Sequence, residues 1–310
     1  MAFNQEAFVR EAALSCLAQD CEPIEIIFSD DASSDGTYAI LEQIASEYLG
    51  PHQLVVRRNT SNLGIGSHYN LLCEVSRGLL LVTAAGDDIS EPHRVRRLLQ
   101  AWDSKNGEPD LISSHLTRMG SEGTISDTLK VDDLSLWCSP EQWLAKRPFV
   151  IGAAHAFTKR LHQKFGPFSS QLSFEDQVMS LRASCLGGGV TVTEPLVKYR
   201  DGGVSSRVVV DPSSANKPVN KHKILIRRHS QQIALYTQIY ADLITVNKEN
   251  LFGRKYVWRL SRSVVFLEML KAQSNGSRLK IVQKHLFENP AAFIASIQSF
   301  FIATRFTLKP

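Results

Sequence analysis

The sequence lacks the features of membrane-spanning, secreted or disulfide-stabilised proteins. No apolar run reaches the roughly 18 residues that a bilayer span requires, and no signal-peptide pattern precedes the first predicted helix. The five cysteines contain no C-x-x-C pair, and an odd number without metal-ligand spacing is typical of reduced, structural thiols. We therefore expect a cytoplasmic protein built around an ordinary hydrophobic core.

The sequence also lacks a large excess of positive or negative charge. Hydrophobic residues make up 43% of the chain and charged residues 21%, which is typical of a folded globular protein. The net charge of +4 favours anionic ligands or an acidic membrane surface, but it is too small for a nucleic-acid-binding surface. With 310 residues, the chain can form one large domain or two small ones, and we expect no nucleic-acid partner.

Several catalytic and cofactor-binding motifs are missing. The sequence has neither the G-x-x-x-x-G-K pattern of a P-loop nor a G-x-G-x-x-G pattern between a strand and a helix. The nine histidines show no metal-ligand spacing, and no serine or cysteine lies in a recognisable nucleophile motif. We interpret His68 and His93 as surface or packing residues.

Strand and helix patterns alternate through the first 110 residues. Short apolar runs at 24–28, 52–58 and 79–83 are typical of strands, and helical patterns lie between them. This alternation predicts an α/β fold with a mostly parallel sheet flanked by helices. In such sheets ligands bind beyond the carboxyl ends of the strands.

Two pairs of aspartates follow predicted strands and therefore lie at the same edge of the sheet. Asp30 and Asp31 begin a turn, where aspartate is common, so helix capping explains them as well as ligand binding does. Asp87 and Asp88 follow a fully apolar strand. They suit a Mg²⁺ ion held by carboxylates and substrate phosphates, although an acidic cap before Pro92 is the structural alternative.

A third acidic pair begins a predicted helix. Glu175 and Asp176 occupy a first turn, where the helix dipole stabilises negative charge. On its own this pair is best explained structurally, and a functional interpretation depends on the other two pairs.

In order along the chain, six motifs resemble those of the family 2 glycosyltransferases, which have the GT-A fold. They are FNQEAFVREAALSCLAQ, IEIIFSDDASSDGT, NLGIG, AAGDD, FEDQ and YRDGGVSS, spread over residues 2–206. The resemblance implies a hexosyltransferase-type enzyme that moves one sugar, with inversion, from a UDP- or dTDP-linked donor to an acceptor hydroxyl. It also implies a divalent cation, Mg²⁺ or Mn²⁺, and a saccharide or lipid-linked acceptor in bacterial surface-polysaccharide or O-antigen assembly.

The same resemblance assigns roles to five residues. Asp31 matches the aspartate that recognises the nucleotide base, and Asp87 matches the acid near the ribose. Asp88 matches the carboxylate on the metal, and Asp176 matches the general base. Phe3 stands where relatives have a tyrosine that helps to bind the base.

The sequence departs from the family pattern at three points. Relatives begin with an apolar strand that ends Pro-Thr-Tyr-Asn, whereas this chain begins MAFN, so either its start is truncated or the base pocket is incomplete. A sheet without that strand would have a damaged core and unpaired edge groups. The histidine that many relatives place after Tyr-Arg is missing, which leaves a third metal contact unassigned. No Gln-x-x-Arg-Trp motif is present, which favours single-sugar addition over processive synthesis.

The composition changes near residue 212, where DPSSANKP is typical of a linker. Helical patterns follow at 222–245, 251–273 and 290–306. Together with the resemblance, this change predicts the following domains: a GT-A domain at 1–211, with a nucleotide-binding half at 1–110 and an acceptor half at 111–211, and a helical region at 212–310.

The helical region is rich in basic and aromatic residues. It forms either a bundle packed on protein or a peripheral contact with the inner face of the membrane, where basic residues meet anionic lipid. The basic residues are Lys221, Lys223, Arg227, Arg228, Arg254, Lys255, Arg259 and Arg262.

Two other functions compete with the transferase. One is a catalytically degenerate, glycosyltransferase-like binding or scaffold subunit without a complete nucleotide pocket. The other is a nucleotidyltransferase, which is disfavoured because no glycine-rich, basic phosphate loop lies near the N-terminus.

Overall fold

The computed structural model describes three ranges of the chain, 1–201, 221–272 and 274–288. Contacts divide the chain into two compact units: Met1–Ser170 with Glu175–Arg207, and Gln171–Phe174 with Val208–Pro310. The predicted domain boundary at residue 211 lies outside the described residues and stays a prediction.

Within the described ranges the chain forms ten α-helices and eight strands. The helices are α1 (Val9–Leu17), α2 (Thr37–Glu47), α3 (Gly64–Val75), α4 (Arg94–Asp103), α5 (Pro140–Ala145), α6 (Lys159–Phe165), α7 (Glu175–Ser184), α8 (Lys221–Thr245), α9 (Arg254–Lys271) and α10 (Asn275–Glu288). The strands are β1 (Glu25–Asp30), β2 (Gln53–Arg58), β3 (Leu80–Val82), β4 (Ile89–Ser90), β5 (Leu111–Met119), β6 (Ile125–Leu129), β7 (Ala156–Thr158) and β8 (Gly189–Arg200).

The strands of the first unit form two sheets. β1 and β2 make a parallel pair, and the other six strands form a sheet in the order β3-β7-β5-β8-β4, with β6 on β5. The predicted α/β class, with a sheet flanked by helices, is confirmed. The mostly parallel pairing needs correction, because only β1–β2 and β5–β8 are parallel among the six strand pairs in the described part of the chain. A parallel pair requires a long crossover, whereas β5 and β6 are joined by a short turn that returns the chain antiparallel.

The first helix begins later than the sequence pattern predicts. The pattern favours a helix from Phe3, but α1 begins at Val9. The residues before Val9 first run alongside the end of β1 and then turn. The Ala2 N–H donates to Ser29 O and the Asp31 N–H donates to Ala2 O, both at 2.9 Å. Ala2 thus makes a single parallel bridge beside β1, at the place where the resemblance predicts a missing strand.

A small apolar core holds β1 against its helices. Ile26 and Phe28 are two residues apart on β1 and therefore point to the same face of the strand. Leu41 and Ile44 of α2 are three apart, as one face of a helix requires, and both are buried in the same cluster. This packing fixes the carboxyl end of β1, where the first aspartate pair begins.

The second unit is helical in its described ranges. α8 and α9 match two predicted helical patterns, whereas the pattern at 290–306 lies outside the described residues. Val265 and Met269 of α9 are buried, and Ile281 and Val282 of α10 pack against them. Within the described ranges, no helix has the length and apolar character needed to cross a bilayer.

Candidate functional site

Asp87 and Asp88 lie in the loop between β3 and β4, at the edge of the larger sheet. Both side chains are buried, with 7% of each residue exposed. Arg200, the last residue of β8, holds this loop in place. Its backbone N–H donates to Asp88 Oδ1 and its Nε donates to the Asp87 carbonyl, both at 2.9 Å.

Arg200 has further partners that fix its guanidinium. Nη1 donates to Ser121 O at 3.1 Å, and Nη2 donates to Glu11 Oε2 at 2.8 Å. The guanidinium carbon also lies 4.5 Å from the centre of the Phe8 ring. The sequence reasoning missed this residue, although its position in the motif YRDGG at the end of a long strand is a signal that could have found it.

The surroundings of Asp88 disfavour a negative charge on it. Burial raises the pKa of the Asp88 carboxyl to about 7, with a further contribution from the neighbouring Asp87. The backbone hydrogen bond from Arg200 opposes this shift. A positive ion beside the carboxylate would favour its ionised form, so the position suits a group that binds a cation.

Glu175 and Asp176 begin α7, with Glu175 buried and Asp176 partly buried. Burial raises the pKa of Glu175 to about 8, assisted by the charge of Asp176, and burial raises the pKa of Asp176 to about 6. The Gln177 N–H donates to Asp176 Oδ1 at 2.7 Å. Burial therefore disfavours a negative charge on both carboxyls, and because they are neighbours they titrate as a pair.

Three of the predicted site residues share one neighbour. The pKa of the Tyr199 phenol is raised, first by burial and then by the carboxylates of Asp88, Asp87, Asp201 and Asp176. Carboxylates about ninety positions apart in the sequence therefore lie within electrostatic range of one phenol at the end of β8, and we call them the acidic cluster. Tyr199 itself was not predicted, because its neighbours come from distant segments.

Asp31 occupies a different part of the same unit, at the start of α3. Its Oδ1 accepts hydrogen bonds from Asn59 Nδ2 at 2.7 Å and from the Leu63 N–H at 2.9 Å. Its Oδ2 accepts one from the Gly64 N–H at 3.0 Å. These donors take three of the roughly four acceptor positions of a carboxylate. Asp31 therefore joins the end of β1 to the first turn of α3.

The neighbouring Asp30 is compensated by its own turn. It is fully buried, and its Oδ2 accepts a hydrogen bond from the Ser33 N–H at 2.9 Å. Arg58 Nε lies 3.3 Å from the same oxygen. The two adjacent carboxylates thus face different partners, which offsets the cost of placing them side by side.

Phe3 lies in the N-terminal segment that bonds to the end of β1. It follows Ala2, which bonds to the end of β1, and its N–H donates to Gln5 Oε1 at 3.2 Å. Its side chain is half-buried. Ala2 also links this segment to Asp31, whose backbone N–H donates to the Ala2 carbonyl.

Replacing Asp31 with alanine is expected to lower the free energy of unfolding by about 2 kcal/mol. The substitution leaves one buried amide and two helix-start N–H groups without their acceptor. Urea denaturation measures the loss. Asp20→Ala, at an exposed residue paired with Arg96, is the control and should change stability by less than about 1 kcal/mol. Equal effects of the two substitutions would contradict the structural role of Asp31.

The two histidines interpreted as packing residues have protein partners. His68 is buried, with Nε2 2.6 Å from Ser29 Oγ, and burial lowers its pKa to about 4. His93 Nε2 lies 2.9 Å from Glu194 Oε1. Across the described ranges, no three His, Cys, Asp or Glu side chains come together as a metal-binding group.

The fold and the acidic cluster define an α/β protein with a polar site at the ends of its strands, an arrangement suited to phosphate-bearing ligands. Residues 1–116 match the model of glycosyl transferase family 2, which is the family that the motifs of this part of the chain predict.

Curated relatives match this chain over limited lengths. An uncharacterized protein of Mycobacterium tuberculosis is 34% identical over 105 residues, which cover 33% of this chain and 30% of that protein. The match therefore spans less than a third of the relative. An uncharacterized glycosyltransferase of Haemophilus influenzae is 26% identical over 221 residues, covering 64% of this chain and 63% of the relative.

Solved structures show the fold. TarS of S. aureus, residues 1–349, in complex with UDP-GlcNAc, aligns with a TM-score of 0.54 at 14% identity, covering 99% of this chain and 89% of that one. The mannosyltransferase PcManGT of Pyrobaculum calidifontis, in complex with GDP-Man and Mn²⁺, aligns with a TM-score of 0.52 at 16% identity, covering 98% and 84%. At these identities the likeness concerns the fold, which is similar to GT-A glycosyltransferase structures.

Proposed function

We propose that this protein is an inverting, metal-dependent glycosyltransferase that moves one sugar from a nucleotide-diphosphate sugar to an acceptor hydroxyl. The observation that carries the proposal is the cluster of Asp87, Asp88 and Asp176 around Tyr199. The match of residues 1–116 to the glycosyl transferase family 2 model supports the reaction class. UDP- or dTDP-linked sugars are the proposed donors.

The donor nucleotide is assigned to the group formed by Phe3 and Asp31, together with Asp87. Phe3 would contact the base with its ring, and Asp31 would use its remaining acceptor position for a donor group of the base. Asp87 would lie near the ribose. Because Asp31 also holds α3, the same residue would link donor binding to the start of that helix.

The residues present fit a divalent cation held by one protein carboxylate and the donor diphosphate. Asp88 is a buried carboxyl whose ionised form a cation would stabilise, and Mg²⁺ typically takes one or two carboxylates plus substrate phosphates. A complete protein cage is not required for that mode of binding. When bound there, Mg²⁺ or Mn²⁺ would neutralise charge on the leaving diphosphate.

Asp176 is the proposed general base. It would accept the proton of the acceptor hydroxyl while the acceptor oxygen bonds to the anomeric carbon and the bond to the nucleoside diphosphate breaks. Attack from the face opposite the leaving group inverts the anomeric centre without a covalent intermediate. The neutral Glu175 beside it would keep a second negative charge away from the base.

The acceptor is proposed to be a saccharide or a lipid-linked saccharide in bacterial surface-polysaccharide or O-antigen assembly. Exposed Arg227, Arg228 and Arg262 in the described helices of the second unit suit contact with an anionic membrane surface. Arg262 lies over the Trp258 ring at 5.3 Å, which combines a charge with an aromatic surface. Cytoplasmic location and peripheral contact with the inner face of the membrane are part of this proposal.

The second candidate function is a catalytically degenerate binding or scaffold subunit. It is considered because β1 and β2 form a sheet of their own beside the proposed base-binding group. Nucleotide binding separates the two candidates. We expect UDP or dTDP with Mn²⁺ to raise the free energy of unfolding by about 2.7 kcal/mol at 100 times Kd. A thermal-shift series of nucleotides and nucleotide sugars, with and without Mn²⁺, measures this effect.

Asp88→Ala should remove the Mn²⁺-dependent part of that shift. Glu91→Gln, three residues further along and paired with Lys198, is the matched control and should keep it. If no nucleotide stabilises the protein at any Mn²⁺ concentration, the transferase assignment fails and the scaffold function is favoured.

A further inference from the structure

Thr83 directly follows β3, on the segment that leads to the loop of Asp87 and Asp88. Its hydroxyl lies 2.8 Å from Gly152 O and 2.6 Å from His155 O, and it donates to both carbonyls. Its backbone N–H also donates to His155 O, at 3.0 Å. These bonds from one residue hold the segment 152–155 against the end of β3.

The held segment packs against the acidic pair that begins α7. A side chain on Gly152 would place its Cβ 3.0 Å from Glu175 Oε1 and 3.5 Å from Asp176 Cβ. The first distance is tighter than most real Cβ contacts, so the backbone of Gly152 lies as close to Glu175 as a glycine allows. Any movement of this backbone therefore changes the space in which the two carboxyls lie.

Tyr69 of α3 makes a second connection between Thr83 and the acidic pair. Its side chain is buried, and its phenol is hydrogen-bonded to the Thr83 side chain. Burial raises the pKa of this phenol, and the charges of Glu175 and Asp176 raise it further, so the phenol is an electrostatic neighbour of both carboxyls. Because the Thr83 hydroxyl shares its one proton between two carbonyls, the phenol supplies the proton of this bond.

The backbone of the held segment has partners besides the Thr83 hydroxyl. The Gly152 carbonyl also accepts from the His155 N–H at 3.0 Å, and the His155 carbonyl also accepts from the Thr83 N–H. Neither carbonyl would lose all its partners if the hydroxyl were removed. The hydroxyl therefore adds a restraint between the end of β3 and the start of α7 beyond what these carbonyls require.

We propose that Thr83 is a positioning residue: through Gly152 and the phenol of Tyr69, its hydroxyl holds the acidic pair in place relative to the end of β3. Since β3 leads into the loop that carries Asp88, the same hydroxyl sets where the proposed base, Asp176, lies relative to the proposed cation-binding carboxyl. The effect on turnover rests on the proposed function, whereas the restraint itself is measurable without a reaction.

The first test is kinetic. Thr83→Val replaces the hydroxyl with a methyl group of similar size, and a misplacement of about 1 Å can cost about 10²-fold in rate. We expect kcat to fall by about 10–100-fold, with the KM for the donor within about 2-fold of the wild type, because the proposed donor contacts lie elsewhere. Thr83→Ser restores the hydroxyl and should recover kcat to within a few-fold of the wild type.

Tyr69→Phe deletes the phenol oxygen alone and should lower kcat less than Thr83→Val does. Both substitutions act on one network, so the double variant should lose less than the product of the two single losses. Independent losses that multiply would show that the phenol and the hydroxyl do not act together.

Hydrogen exchange tests the restraint without a reaction. The Gln177 N–H donates to Asp176 Oδ1, so its exchange reports on the position of that carboxylate. In Thr83→Val the amides of Gln177 and His155 should exchange about 10-fold faster than in the wild type, and in Thr83→Ser they should not. The Ile44 amide in α2 is the control and should be unchanged in both variants. Tyr69→Phe carries the same expectation for Gln177 should Thr83→Val fail to fold.

Unchanged exchange at Gln177 in Thr83→Val would overturn the proposal. Equal acceleration at Ile44 would also overturn it, because it would show a general loss of stability, as would equal losses of kcat in the valine and serine variants. A wild-type protein that turns over no nucleotide sugar would instead refute the proposed function. In that case, faster exchange at Gln177 in Thr83→Val alone would still establish that Thr83 positions the acidic pair.

Discussion

Asp176→Asn should lower kcat by about 10²–10⁴-fold and leave donor binding unchanged. The asparagine keeps the size of the side chain at the start of α7 but cannot accept the proton of the acceptor hydroxyl. Nucleotide binding involves other residues of the proposed site, so the Mn²⁺-dependent thermal shift should persist. Steady-state kinetics with a donor identified by the thermal-shift screen, together with that screen on the variant, measure both effects.

Glu175→Gln is the matched control. Glutamine resembles the neutral glutamic acid that burial favours at this position, so turnover should stay within a few-fold of the wild type. An Asp176→Asn variant with wild-type kcat would remove Asp176 as the base. Equal losses from both substitutions would show that the first turn of α7 matters for structure and not for proton transfer.

The pH dependence of the rate follows from the same pair. Because burial raises the pKa of Asp176 to about 6, the base becomes protonated below that pH, and kcat should fall as the pH decreases through it. Above that pH the rate should level off as Asp176 becomes fully ionised. A rate independent of pH from 5 to 7 would contradict the assignment.

Local sequence patterns predicted much of the fold because they depend on neighbouring residues. The run Ile24–Phe28 predicted β1, which extends from Glu25 to Asp30, since alternate apolar residues bury one face of a strand. The helices α8 and α9 were also predictable from local sequence, because their helical patterns lie within single segments of the chain. The antiparallel pairs of the larger sheet were not, because strand order depends on contacts between distant segments.

The candidate site divides in the same way. The motifs drew attention to Asp88 and Asp176, each at the end or the beginning of a recognisable element. Nothing in the local sequence shows that Tyr199 lies among these carboxylates or that Arg200 bonds to the loop before β4. The double role of Asp31 was equally hidden, since its hydrogen-bond donors lie about thirty residues away in the chain.

Arg200→Met should lower the free energy of unfolding by about 3 kcal/mol, because it removes a buried charge from four partners. The carbonyls of Asp87 and Ser121 lose their donor, and the Phe8 ring loses its cation. For a unit of this size the Tm should fall by roughly 6–12 °C. Thermal and urea denaturation measure the change.

The role of Arg200 in positioning the loop predicts a second effect that a purely structural role would not produce. The backbone N–H to Asp88 survives any substitution, but the Asp87 carbonyl loses its contact, so the loop should hold the cation less firmly. The affinity for nucleotide with Mn²⁺ should weaken more than the affinity for nucleotide alone.

Glu11→Gln is the control: it alters one partner whose side chain is 59% exposed, and should change stability by less than about 1 kcal/mol. Arg200→Lys keeps the charge but loses the planar fork of the guanidinium. Its loss of stability should therefore lie between those of Glu11→Gln and Arg200→Met. If Arg200→Met weakens both affinities equally, Arg200 stabilises the fold without positioning the aspartate loop.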